Sequence, residues 1–153
     1  MDIKEQVNKL QSIHDLIVDS KKGYQEASNR AEDIRVKALL ETMALHRVPL
    51  EADLDAGLQT LEPGRAHHDG TIKGDLHRAW IDVRDALSTS DNANVLKECE
   101  RGEKYLLEQY DDVLSDADLA MSLREPLMKQ RAEVQSDLNR VIDLRKTFEA
   151  VEE

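Results

Sequence analysis

Apolar residues recur along most of this chain at steps of three, four or seven, the spacing of one helical face. From about residue 3 to 31 the stripe is Ile3, Val7, Leu10, Ile13, Ile17, Tyr24, Ala27 and Ala31. After a short break near Asp33 a second run continues to about Leu61. Its inner face is read as Ala38, Leu39, Thr42, Leu45, His46, Leu50 and Leu54. Glu62-Pro63-Gly64 ends that run, and a loop with glycines at 70 and 74 follows. A short amphipathic helix is predicted over 75–87, with Leu76, Trp80, Val83 and Leu87 on one side. Ser88-Thr89-Ser90-Asp91-Asn92 is a turn with a ready N-cap. A third long helix covers 92–115. The fourth runs from about 119 to 148 with Leu123, Leu127, Val134, Leu138, Val141, Leu144 and Phe148 inward. Pro49 and Pro126 fall inside helices, where a kink is expected.

The connections matter more than the number of helices. Tight turns join the first long helix to the second and the third to the fourth, so each pair should be an antiparallel hairpin. Roughly thirty residues with a helix of their own separate the pairs. This spacing predicts an all-α fold, a ferritin-like four-helix bundle of two antiparallel hairpins joined by a long crossover carrying a short extra helix. Residues 1–153 are read as one domain. A faint repeat supports two hairpins: Asp19, Lys22, Gly23 and Tyr24 match Glu98, Arg101, Gly102 and Glu103 at constant offset. Equivalent glycines would let the first and third long helices approach closely.

Composition narrows the chemistry. Hydrophobic residues make up 40% of the 153 positions and aromatics only 3%, so the core must be aliphatic. Charged residues reach 35% and the formal net charge is −11, which opposes binding to phosphate backbones, and no nucleic-acid partner is expected. No run approaches the ~18 apolar residues of a membrane span, and the N-terminus has no apolar signal core. Cys99 is the only cysteine, so no internal disulfide can form. A cytoplasmic protein without a membrane partner is the expectation.

Glu98-Cys99-Glu100-Arg101-Gly102-Glu103 concentrates the unusual choices. Gly102 costs roughly 1 kcal/mol against alanine inside a helix. Glu103 falls on the face expected to be buried, where a carboxylate needs a partner, a proton or a metal. Di-metal bundles place one Glu on each of two helices and Glu-x-x-His on the other two. No Glu-x-x-His occurs here, and the fourth helix has no histidine. Candidate metal ligands are therefore Glu103, His46, Glu133 and Asp137. The competing expectation is a hydrogen-bonded polar core of Tyr24, His46, Glu103 and Gln130. His67-His68-Asp69 is a metal-prone run, read as adventitious at most. Cys99 reads as a small buried hydrophobe and Trp80 as the residue that docks the crossover helix. No nucleophile, Walker or dinucleotide motif is present.

Leu-Ile-Val-Asp-Ser-Lys-Lys-Gly-Tyr at 16–24, Leu-His-Arg-Ala-Trp-Ile-Asp-Val-Arg-Asp-Ala-Leu at 76–87 and Glu-Cys-Glu-Arg-Gly-Glu at 98–103 carry a resemblance. The chain resembles an uncharacterised bacterial family of ferritin-like four-helix-bundle proteins, a domain of unknown function distantly related to ferritins and rubrerythrins. The resemblance implies that Glu103 stands where metal-binding helices carry a ligand. It also implies that Tyr24 replaces a ligand carboxylate, while His46 and Pro49 stand where Glu and His would be wanted. The function then expected is a non-enzymatic, stress-associated bacterial protein without a standard di-iron site, self-associating as a homo-oligomer through an exposed helix face. No cofactor is expected on this reading. One alternative is a di-metal carboxylate oxidase or iron-handling protein that holds iron or manganese in an atypical site. Another is a small-ligand or partner-binding bundle using Tyr24, His46 and Glu103.

Overall fold

A computed structural model describes residues 1–65 and 74–152; over 74–79 and at 152 it describes the backbone alone. The described residues form five helices and no strand: α1 (Ile3–Arg30), α2 (Ile34–Leu61), α3 (Gly74–Ser88), α4 (Asn92–Leu114) and α5 (Met121–Glu152). Three N-termini have aspartate caps that satisfy otherwise orphaned amides. Asp2 accepts from the Glu5 amide, Asp33 from those of Arg35 and Val36, and Asp91 from that of Asn94. Both α2 and α5 run through their internal prolines. None of the described helices is long and apolar enough to cross a membrane.

Cross-helix pairs give the directions. Lys21 reaches Glu51 at 2.5 Å and His14 lies 2.8 Å from Asp55, so α1 and α2 are antiparallel. Tyr110 donates to Gln130 at 2.8 Å and Arg145 reaches Glu100 at 3.3 Å, so α4 and α5 are antiparallel. Gln6 pairs with Asp116 while Tyr24 pairs with Glu103, which sets α1 against α4 in the same sense. The sequence of directions is therefore up, down, down, up. The α3 helix packs on α1 and α4.

Two apolar clusters fill the interior. One joins Leu10, Ile13, Ile17, Leu50, Leu54, Leu107, Tyr110, Leu127 and Val134. The other joins Tyr24, Val36, Leu40, Met43, Val83, Leu96, Cys99 and Val141. Fully burying such aliphatic side chains contributes about 1.5–3 kcal/mol each, which holds the helices in register.

The inner face of α2 differs from its sequence reading. Val36, Leu40, Met43, Ala44, Arg47, Leu50, Leu54 and Leu58 are buried, whereas Ala38 is exposed and Leu45 is 70% exposed. This helix carries two apolar faces. Ile34, Ala38, Leu45, Val48 and Ala52, spaced 4, 7, 3 and 4 apart, form the second one, and it faces outward. The glycine pairing also needs correction. An added Cβ at Gly23 would lie 2.4 Å from the Trp80 ring, so the close approach made there is to α3. Nothing described lies within 4 Å of a Cβ built at Gly102. Trp80 meets Tyr24 edge-on with ring centroids 5.0 Å apart. The His67-His68-Asp69 run and the side chain of Leu76 lie outside the described residues.

Candidate functional site

Each of the four long helices contributes a buried side chain with a polar end to one interior group. They are Tyr24 from α1, Arg47 from α2, Glu103 from α4 and Asp137 from α5. The Tyr24 hydroxyl donates to Glu103 Oε1 at 2.5 Å. Arg47 Nη2 donates to the same oxygen. Arg47 Nη2 also stands 4.0 Å from Asp137 Oδ2, and its guanidinium carbon lies 5.7 Å from the centre of the Tyr24 ring. Arg47 is fully buried, a state arginine adopts almost only when paired.

A second group sits at the edge of this layer, where α2 meets α5. His46 Nδ1 is 2.8 Å from Asp137 Oδ1 and 3.0 Å from Glu133 Oε1. The three ligand-type atoms lie within 4.8 Å of one another. His46 is 28% exposed and Glu133 is 41% exposed, while Asp137 is buried, so this group opens to solvent on one side. Arg140, half-exposed, approaches Asp137 Oδ1 at 3.4 Å.

The residues singled out from sequence therefore divide. Tyr24 and Glu103 meet directly. His46, Glu133 and Asp137 meet one another, but Glu103 does not join them, because Arg47 and Tyr24 hold it. Gln130 is buried elsewhere, bonded to Tyr110. The expected network of Tyr24, His46, Glu103 and Gln130 thus divides: Tyr24 and Glu103 meet each other and Arg47, His46 meets Glu133 and Asp137, Asp137 stands between these two groups, and Gln130 is apart with Tyr110. Arg47 was missed. The signal that could have found it is Val36, Leu40, Met43 and Leu50, spaced three, four and seven apart with position 47 in register. A further buried histidine, His14 of α1, faces the Asp55 carboxylate of α2.

Burial and charge set the protonation states. Burial first, then the adjacent Glu103 carboxylate, hold the Tyr24 hydroxyl well above its ordinary range, so it is a donor. Burial alone would lower the pKa of Arg47; Glu103, Tyr24 and Asp137 together outweigh it and the guanidinium is held even more firmly protonated. Burial pushes Asp137 up, against the hydrogen bond from His46 and the charge of Arg47. Burial, with the charges of Glu103 and Glu98, raises the Cys99 thiol and leaves it an inert packing group.

A cavity of about 30 Å³ lies beside Tyr24, Cys99, Gly102 and Glu103. That is room for water rather than for a metabolite. A larger cleft of about 430 Å³ opens between α2 and α5, lined by Asp53, Gly57, Thr60, Ser122, Pro126 and Gln130 among others.

No curated protein is significantly similar to the chain. The family described as a domain of unknown function, DUF2383, matches residues 5–116, and the chain belongs to that family.

Proposed function

We propose that this protein is a non-enzymatic, ferritin-like bundle in which a guanidinium takes the central position that a metal pair holds in di-metal relatives. The observation that carries the reading is Arg47. It is a permanent cation, fully buried, bonded to Glu103 and near Asp137. A metal pair bridged by Glu103 does not fit this arrangement, because two divalent ions would share a dry interior with a fixed positive charge. The up-down-down-up order of the long helices, with a crossover between α2 and α4, supports the ferritin-like assignment.

Self-association is part of the proposal. The outward stripe of Ile34, Leu45 and Val48 on α2 gives a second copy an apolar face to cover. A stress-associated role draws only on the family resemblance.

Anaerobic titration with ferrous iron, followed by oxygen, tests the central part. The expected result is no fast oxidation and no pair of tightly bound irons. Two irons per chain, lost in Glu103→Gln, would contradict it. Light scattering tests the second part: an oligomer that Leu45→Lys converts to monomer supports it, and a wild-type chain that stays monomeric removes it. The cleft between α2 and α5 favours one other reading, small-ligand binding, at a place away from Tyr24. Amide shifts at Asp53, Thr60 and Ser122 on screening small metabolites would support it; their absence would remove it.

A further inference from the structure

We propose that His46, Glu133 and Asp137 form a site for one divalent transition-metal cation on the α2–α5 seam, outside the Arg47–Glu103 layer. This goes beyond the guanidinium-filled bundle, which needs no metal anywhere. Imidazole with two carboxylates is a donor set suited to zinc, manganese or ferrous ions. Ligands about 2.0–2.2 Å from one ion, at right or tetrahedral angles, lie about 2.8–3.6 Å apart. The contacts from His46 Nδ1, 2.8 Å to Asp137 Oδ1 and 3.0 Å to Glu133 Oε1, fall in that range.

The local hydrogen bonding is also incomplete in a way a cation would repair. One imidazole N–H faces two carboxylates and can donate well to only one. Asp137 is wholly buried and turns its Oδ2 toward Arg47 at 4.0 Å, so Oδ1 is the oxygen it presents to His46. An ion in place of the Nδ1 proton would bind both carboxylates at once. The exposed side of His46 and Glu133 leaves positions for water ligands.

Nearby cations set the affinity. Arg140 lies 3.4 Å from Asp137 Oδ1 and is half-exposed, so it can swing into solvent as the ion enters. Arg47 stays, held by Glu103, and keeps the ion to the outer side of Asp137. Binding displaces the Nδ1 proton, so proton and ion compete for this nitrogen.

The test uses full-length protein without a histidine tag, stripped with chelator and titrated with Mn²⁺ and with Zn²⁺ by calorimetry. The expected stoichiometry is one ion per chain. Glu133→Gln should weaken it at least about tenfold with the helical circular dichroism unchanged, since Glu133 is half-exposed. Arg140→Ala should tighten it about threefold by removing a competing charge. Substoichiometric Mn²⁺ should broaden the ring resonances of His46 and spare those of His14. Absence of saturable binding would overturn the proposal. So would binding that survives Glu133→Gln and vanishes when His67 and His68 are both replaced by alanine, because that ion would be held by those histidines.

Discussion

His46 and Arg47 are neighbours in sequence and occupy opposite kinds of environment. Arg47 is sealed among four helices, its charge answered by Glu103 and the ring of Tyr24. His46, about 100° further round α2, stands at the seam with α5 and keeps a quarter of its surface in solvent. Asp137 touches both. The inner position holds its cation covalently, as a side chain. The outer one presents two carboxylates to a single ring nitrogen. On the proposed reading, one layer of the bundle is closed to metals at its centre and receptive at its rim.

The sharpest way to break that contrast is at its centre. Arg47→Ala leaves Glu103 as an uncompensated buried charge and should cost about 3–5 kcal/mol in urea unfolding. Arg47→Met combined with Glu103→Met should recover more than half of that loss, because an apolar pair replaces a desolvated ionic one. Failure of the double variant to recover would mean that the pair specifies the fold rather than merely balancing itself.

Tyr24→Phe comes next. It removes a hydrogen bond to a charged acceptor and should cost ~1.5–3 kcal/mol. The wild-type hydroxyl also predicts an alkaline limb. Its folded pKa is raised, so its contribution is fully present below the unfolded tyrosine value of about 10 and is lost as pH rises through the folded value. Denaturation curves from pH 8 to 11 should show stability falling above about 10, with a shallower fall in Tyr24→Phe.

Two glycines flank the sealed side and should respond with opposite signs. Gly23→Ala drives a methyl into the Trp80 ring and should cost about 1–3 kcal/mol. Gly102→Ala points into open space and should stabilise by about 0.5–1 kcal/mol through helix propensity. The smallest effect belongs to the rim: His46→Gln, without metal, should change stability by less than ~1 kcal/mol. A loss as large as that of Arg47→Ala would erase the distinction between the two positions.

The ease of reading this molecule from sequence varied by helix, for a physical reason. In α4 most apolar residues lie on one side, so Cys99 and Glu103 could be placed inward and Glu103 singled out. In α2 two apolar faces compete. Leu45 and Val48 face out, while Val36, Leu40 and Met43 face in. Mixing the two stripes, with Ala38 and Leu45 read inward beside Leu50 and Leu54, turned Arg47 toward solvent, the default place for an arginine, and hid the partner of Glu103. The meeting of His46 with Asp137 spans 91 residues and depends on the register of α2 against α5, which no local pattern carries. The repeat that linked Gly23 to Gly102 was a likeness of sequence, and the crossover helix, docked by Trp80 on one side alone, gives those glycines different surroundings.

Anomalous diffraction from crystals soaked in Mn²⁺ tests the central claim most directly. A single peak among His46, Glu133 and Asp137, with Arg47 still bonded to Glu103, is the result predicted. Two peaks bridged by Glu103, with Arg47 displaced from the core, would contradict it.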